Sequence, residues 1–486
     1  MKRKVRCAVA VACVPVFLVA ALLLTAYLWV SYKFMNATLD IIIIQLSLPL
    51  KGLDAGYFYN AGMAVLCVLF ACILYALALR RTCCGGKGGV RSVLLPLLPF
   101  LLLGLSLWLV ERKYEVWEFL FPGERFSTYI EENYFLPDVS DFTFPDGRNN
   151  LVIIELESVE RTFNDESIFK PILMPKMDRL QREGTEFYRQ RQAPGSEYSA
   201  SGFTSLVFGM PSKPSATIRD KVDIFLGRLD PEELVVPDSS RNFRNSSLMG
   251  ILEQHGYRIS LFRAADKNYG GYGVTMSMST NECDIRDASY FIDGGHTAKQ
   301  NSWGLFDGYL YEQAKKYMQE RSGKGPFAMI IQTVDTHPPG YFEPDMETRY
   351  GDFRDAFVQA DRLVADFVEW IRNQPFGDET TILVVGDHLL GENVMRLPPT
   401  GERSIMAFAI NAKAVPEVAT DKRLFATWDL TATVFEAIGA RFPGRRFGLG
   451  TSLFSSEKTL FEKNGVDDYL KNIKKRSRFS ESRYGW

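Results

Sequence analysis

Two acidic residues and two histidines stand at the ends of apolar runs, where an α/β enzyme keeps its chemistry. NLVIIELES reaches Glu157, FAMIIQTVDTH reaches His337, and TTILVVGDH reaches Asp387 and His388. Ligands of an open parallel sheet bind outside the carboxyl ends of its strands. These three endings therefore converge on one site although they lie far apart in the chain. Asp387 and His388 offer an oxygen and a nitrogen to one divalent cation from adjacent positions. Glu157 is either a third ligand or the negative charge at a helix N-terminus.

A nucleophile is supplied by APGSEYSASGFTSLVFGMP, residues 193–211, which opens on Pro and Gly, is rich in hydroxyls, and then turns apolar. A loop running into a helix there places a hydroxyl at the helix N-terminus, where backbone N–H groups and the dipole favour an anion. A metal on that hydroxyl would lower its pKa and yield an attacking alkoxide. Ser196, Ser199 and Ser201 each suit this position, or the N-cap beside it, and spacing does not choose among them.

The elements that must position these groups read as alternating strands and helices from Asn150 to about Phe454, a parallel sheet between helices. Residues 1–110 read as a membrane domain. The uncharged stretch 7–32, then Ala55–Leu79 and Ser92–Val110, are long enough for a bilayer that needs about 20 apolar residues, and give spans at about 8–30, 57–79 and 92–110. The first lacks the short core and small-residue cleavage site of a signal peptide. IIIIQLSLPL, residues 41–50, is too short to span and reads as interfacial or re-entrant. Residues 111–149 read as a juxtamembrane linker, 150–455 as the catalytic domain and 456–486 as an appended basic tail.

Lys2, Arg3, Lys4 and Arg6 precede the first span, and Arg80, Arg81, Lys87 and Arg91 separate the second from the third. Both groups belong on the cytoplasmic side, which puts everything after Val110 outside. Six of the seven cysteines lie in the membrane part or its loop, so Cys283 is alone and the soluble part has no internal disulfide. A formal net charge of −2 argues against a nucleic-acid partner.

Taken in order, LES at 156–158, GSEYSASGF at 195–203, TVDTH at 333–337 and GDH at 386–388 resemble the membrane-anchored phosphoglycerol transferases of the sulfatase and alkaline-phosphatase superfamily. The likeness is to the periplasmic glucan phosphoglycerol transferases and the lipoteichoic acid synthases. WDLTATVFEAIG resembles a helix common in the superfamily, and LPLKG at 48–52 a segment between the spans of the glucan enzymes. The resemblance implies an N-terminal helical transmembrane domain followed by an alkaline-phosphatase/sulfatase-like α/β/α domain, in a bacterial cytoplasmic membrane with the catalytic domain on the periplasmic or extracellular side.

The resemblance also implies roles. Glu157, Asp387 and His388 become metal ligands, Ser199 the nucleophile and fourth ligand, and His337 a group that contacts the phosphate or protonates the leaving oxygen. The family usually has Thr where Ser199 stands. One divalent metal is implied, Mn²⁺ first, with Mg²⁺ and Zn²⁺ also suited to the ligand set. The implied donor is phosphatidylglycerol, the acceptor an envelope glycan, and the route a covalent phosphoglyceryl-serine. Lipoteichoic acid synthases hold glycerol phosphate with a Trp and an Arg in the segment matching FRAADKNYGGYG, and neither stands at the matching places here. Arg263, Lys267 and Tyr272 are the candidate replacements. Asp335 either orients His337 or binds the acceptor.

Phosphoethanolamine transfer and metal-dependent phosphodiester hydrolysis use the same core and are the alternatives, as is a non-catalytic envelope scaffold. No Cys-x-Pro-x-Arg or Ser-x-Pro-x-Arg precursor of a formylglycine is present, which argues against sulfate ester hydrolysis. His255 suits a helix C-terminus, and His296 falls in a flexible loop.

Overall fold

The computed structural model describes residues 2–34, 38–39, 42, 55–83, 91–117, 126–212, 243–295 and 299–480. The 41–50 run (except Ile42), the 48–52 segment, Lys87, Cys84 and His296 lie outside them. The chain divides into two compact units, Met1–Gly123 and Glu124–Trp486.

In the first unit, α1 (Lys2–Lys33), α2 (Ala55–Cys83) and α3 (Arg91–Tyr114) are the described helices. Their apolar stretches Ala12–Lys33, Phe58–Thr82 and Val93–Tyr114 are long enough to cross a membrane. Pro99 has no N–H, so the Leu95 carbonyl of α3 loses its helical donor. Tyr75 of α2 donates its hydroxyl to that carbonyl at 2.9 Å. Ser106 reaches the Ala20 carbonyl of α1 at 3.2 Å, so side-chain hydrogen bonds tie α3 to both other helices.

The second unit is built on a seven-stranded sheet. Its strands are β1 (Asn150–Leu156), β2 (Thr185–Glu186), β3 (Arg258–Arg263), β4 (Cys283–Arg286), β5 (Phe327–Gln332), β6 (Thr380–Gly386) and β7 (Ala407–Ile410), in the order β2-β7-β6-β1-β5-β3-β4. The five strands from β6 to β4 run parallel, and at one edge β7 runs antiparallel to both of its neighbours, β6 and β2. Every residue of β1, β5 and β6 is buried, as the continuous apolar runs demand of strands covered on both faces.

Alternation divides the core. Leu151 and Ile153 face the layer made by α5 (Ser199–Phe208), α6 (Leu248–Gln254), α7 (Tyr272–Ser279) and α10 (Asp429–Ala437). Val152 and Ile154 face α4 (Pro175–Glu183), α8 (Asp307–Arg321) and α9 (Arg354–Arg372). Because β1 is central and β6 is its neighbour, Leu156 pairs with Gly386. The residues that follow, Glu157 and Asp387, therefore emerge side by side.

Ile130 and Phe142, in the stretch read as a linker, belong to the core of this unit. So do Leu460, Phe461, Tyr469 and Ile473 in the stretch read as a tail. Trp428 donates its indole N–H to the Tyr469 hydroxyl at 2.9 Å. The helix Val466–Lys474 turns its apolar side to the core and its lysines outward, so the basic composition that suggests a free tail belongs to one face of a packed helix.

Gly202, in the first turn of α5, lies against the strand end that carries the site. A Cβ there would stand 2.4 Å from the carbonyl oxygen of Asp387. Gly202→Ala is expected to lower stability by about 1–3 kcal/mol, the usual cost of forcing extra volume into a close-packed contact. Thermal unfolding of the full chain in detergent tests this, and an unchanged melting temperature would refute it.

Candidate metal centre and nucleophile

Beyond β1 the backbone turns at Ser158, whose φ of 55° lies in the left-handed region. That turn directs the Ser158 N–H onto Asp387 Oδ1 at 2.8 Å, while its hydroxyl donates to Glu157 Oε1 at 2.8 Å. Gly386 permits the approach from the other side, since a Cβ there would meet the Val159 carbonyl at 1.9 Å. Glu157 and Asp387 are 3% and 2% exposed.

His388 completes the cluster, in which ligand atoms of Glu157, Asp387 and His388 all lie within 4.8 Å of one another. Its Nδ1 stands 2.8 Å from the Leu389 carbonyl, which can only accept, so the proton is on Nδ1. Nε2 lies 3.4 Å from Glu157 Oε1 and 3.5 Å from Asp387 Oδ2. Two carboxylates this close to the ring call for a positive charge, either a second proton on Nε2 or a cation held between them. Burial favours the neutral imidazole, yet Asp387 and Glu157 outweigh it and push His388 well up. Asp387 Oδ2 is enclosed without a hydrogen-bond partner. Two carboxylates, an imidazole nitrogen and an unpartnered oxygen fit a divalent cation.

α5 begins at Ser199, and this decides which hydroxyl meets the cluster. Ser199 donates to Glu157 Oε2 at 2.9 Å and lies 3.3 Å from His388 Nε2. The Ser196 hydroxyl is turned to the Ala193 carbonyl and that of Ser201 to the Tyr198 carbonyl. Ser201 Oγ also accepts the Tyr198 N–H at 3.1 Å, which fixes the start of the helix.

The other expected site residues are placed differently. His337 is half-buried, with Nδ1 2.8 Å from the Pro338 carbonyl, and Nε2 has no partner among the described residues. Against the effect of burial, Glu157 is held well below the ordinary carboxylate range, by His388 first and then by the nearby His337 and the Ser158 hydroxyl. Arg263 ends β3 with its guanidinium 3.4 Å over the Tyr272 ring, and Nε and Nη1 are enclosed without partners. Lys267 makes no side-chain hydrogen bond or ion pair among the described residues. Asp335 is fully buried and both its oxygens are used, by Asn301 at 2.9 Å, Asp307 N–H at 3.0 Å and Gln359 at 2.9 Å. Its carboxylate braces the loop that carries His337 and faces no open space. His255 caps α6 and packs on Phe144, away from the cluster.

Sequence reading missed an aromatic wall. The Trp303 ring lies 4.3 Å from that of His337 and 5.1 Å from that of Tyr269, and its indole N–H is buried without a partner. The turn that carries Tyr269 presses on α5, since a Cβ at Gly270 would stand 3.0 Å from Ala200. The Asn301 side chain accepts the backbone N–H of Trp303 at 2.8 Å and donates to Asp335, so one network sets both loops. The only signal in the sequence is a Trp within a polar, glycine-bearing loop.

The family model described as Sulfatase matches residues 149–439, more than half of the 486, and the chain belongs to that family. Phosphoglycerol transferase I of Xanthomonas campestris pv. campestris (strain B100) is 29% identical over 323 residues, 64% of this chain and 43% of the relative. Phosphoglycerol transferase I of Escherichia coli O6:K15:H31 is 27% identical over 328 residues, 65% of this chain and 40% of the relative. The chain thus spans less than half the length of these curated relatives. The crystal structure of a protein in the alkaline phosphatase superfamily from Vibrio parahaemolyticus has a TM-score of 0.52 at 20% identity, covering 68% of this chain and 74% of that one, and shares the fold.

Full-length protein is expected to bind one divalent cation per chain and to melt lower after chelation, because the cluster then keeps its negative charges uncompensated. Asp387→Asn and His388→Ala should each weaken Mn²⁺ binding by at least ~10-fold, the smallest loss usual even for residues that only support a ligand. Titration calorimetry decides, and wild-type affinity in either variant would contradict the assignment.

Proposed function

We propose that the chain is a phosphoglycerol transferase that moves glycerol phosphate from phosphatidylglycerol to a cell-envelope glycan through a covalent Ser199 intermediate. The observation that carries this is the Ser199 hydroxyl, 2.9 Å from Glu157 and 3.3 Å from His388 at the start of a ten-residue helix. The phosphoglycerol part of the reading is supported by the name of the relatives. The missing formylglycine precursor argues against sulfate esters as substrates.

Glu157, Asp387, His388 and the Ser199 oxygen would hold one divalent cation, Mn²⁺ first, which lowers the pKa of the hydroxyl and offsets charge on the phosphoryl oxygens when bound. Ser199 Oγ attacks the phosphorus of the lipid phosphodiester. The Oγ–P bond forms, the bond from phosphorus to the diacylglycerol oxygen breaks, and that oxygen takes up the proton Ser199 gives up. His337, with Nε2 free and its ring set by Trp303, carries this proton. In the second half an acceptor hydroxyl attacks the same phosphorus, and its proton returns to Ser199 by the reverse path. N–H groups of the first turn of α5 face the phosphoryl oxygens, where the helix dipole favours negative charge. Arg263, with two unpartnered nitrogens, and Lys267 supply positive charge for the headgroup phosphate.

The three apolar helices suit a multi-pass anchor in the bacterial inner membrane with the second unit on the periplasmic or extracellular side. Such an anchor confines the enzyme to the membrane that holds its lipid donor.

Intact mass of the purified protein with phosphatidylglycerol should show a metal-dependent phosphoglyceryl adduct that Ser199→Ala abolishes. An ethanolamine-phosphate adduct from phosphatidylethanolamine instead would reassign the donor, and no adduct from either lipid would refute the covalent route. His337→Ala should keep Mn²⁺ affinity while lowering turnover by about 10²–10⁴-fold, the usual contribution of proton transfer. Full turnover in that variant would remove His337 from the reaction.

A further inference from the structure

An ion pair buried beside the cluster takes no part in the proposed chemistry. Glu160 lies on the loop that leaves Glu157, and Arg403 follows the loop that leaves His388. They are 0% and 1% exposed. Arg403 Nη1 donates to Glu160 Oε1 at 3.0 Å and Oε2 at 3.2 Å, and both Nη1 and Nη2 reach the Leu390 carbonyl at 3.3 Å.

Stability does not account for the pair. Removing two charges from water costs several kcal/mol per ion, and an apolar pair of similar volume is often as stable or more so. Burial raises the Glu160 carboxyl to about 7 even against the pull of Arg403. Arg403 Nε is enclosed without a partner.

Geometry does account for it. Leu390 is on the His388 loop and Glu160 on the Glu157 loop, so one guanidinium spans both. The backbone of Arg403 is engaged as well, its carbonyl accepting from Arg191 Nη1 at 3.2 Å. The next residue, Gln192, accepts the Leu389 N–H through its side chain at 2.8 Å. This stretch runs on to Ser199. Ile405 N–H donates to the Gln190 carbonyl at 3.2 Å, and Arg161 N–H to the Ser404 carbonyl at 2.9 Å. The loops beside Glu157, His388 and Ser199 therefore meet on one short segment.

We propose that Arg403, held by Glu160, is a positioning residue that sets the separation of the Glu157 carboxylate and the His388 imidazole, and so the affinity of the metal centre. The proposal rests on the reading of Glu157, Asp387 and His388 as ligands of a divalent cation. Arg403 touches neither cation nor substrate in this role. It acts through the Leu390 carbonyl and the Glu160 carboxylate.

The test compares full-length wild type, Glu160→Leu/Arg403→Met and Arg403→Lys in detergent. Mn²⁺ affinity is read by titration calorimetry and the melting temperature of chelator-treated protein separately. Both partners change together in the double variant because removing one strands a buried charge. The metal-free double variant is expected to melt at or above the wild-type temperature while its Mn²⁺ Kd rises about 10- to 100-fold, the range for residues that support a ligand. Arg403→Lys keeps the charge but not the forked contact, and is expected to lose affinity to a smaller degree at an unchanged melting temperature. Wild-type Mn²⁺ affinity in the double variant would overturn the proposal. So would a melting temperature that falls in step with affinity in both variants, which marks a general structural role. If the double variant does not fold, Arg403→Lys decides alone: weaker Mn²⁺ binding at an unchanged melting temperature supports the proposal, and unchanged binding overturns it. Absence of Mn²⁺ binding by wild type is a separate outcome that overturns the ligand reading underneath.

Discussion

Two carboxylates buried side by side are a constraint that the surrounding structure answers. Like charges at this range repel strongly where water is excluded, and the His388 imidazole set against both is raised in pKa by them. Central placement of β1 beside β6 brings Glu157 and Asp387 out together. A left-handed Ser158 and a side-chain-free Gly386 let the two strand ends close on one another. Donors are then spent on Asp387 Oδ1 from two backbone N–H groups, those of Ser158 and His388, which leaves Oδ2 turned to the centre. Each of these is a local cost in conformational freedom or packing, and a cation shared by the cluster would give them a common reason.

How much of this is legible in the sequence depends on whether the deciding physics is local. Strand ends were legible, because a parallel strand covered on both faces is a continuous apolar run and its polar terminus stands out. The choice among Ser196, Ser199 and Ser201 was not, because it depends on the residue at which α5 starts and on two hydroxyls being taken by nearby carbonyls. Asp335 shows the same limit from the other direction. A carboxylate two residues before a site histidine reads alike whether it faces substrate or braces a loop, and only its three buried donors distinguish the cases. Glu160 and Arg403 lie 243 residues apart, and neither stands out in its own stretch. A basic helix or tail after residue 456 is legible, but its packing on the core is not, because composition records the lysines of a helix and not the direction of its apolar face.

The membrane unit illustrates a second kind of accommodation. Proline in α3 leaves the Leu95 carbonyl without a helical donor, which a span could not make good with water, and Tyr75 of α2 supplies one. The repair is also a contact, so the defect in one helix specifies its neighbour. Polar residues within these helices thus have partners that a hydropathy profile cannot reveal.

Gly202 has a consequence for motion. Where helix and strand touch backbone to backbone, neither can shift without carrying the other, so the hydroxyl of Ser199 and the carboxylate of Asp387 behave as parts of one rigid piece. The loops bearing Tyr269 and Trp303 stand at the rim of this piece, where they meet through their aromatic rings and through the Leu305 N–H on the Ala264 carbonyl at 2.8 Å. A centre built this way keeps its geometry while the side chains of its border are free to differ. Diversification among chains that share this core would accordingly be written in the border.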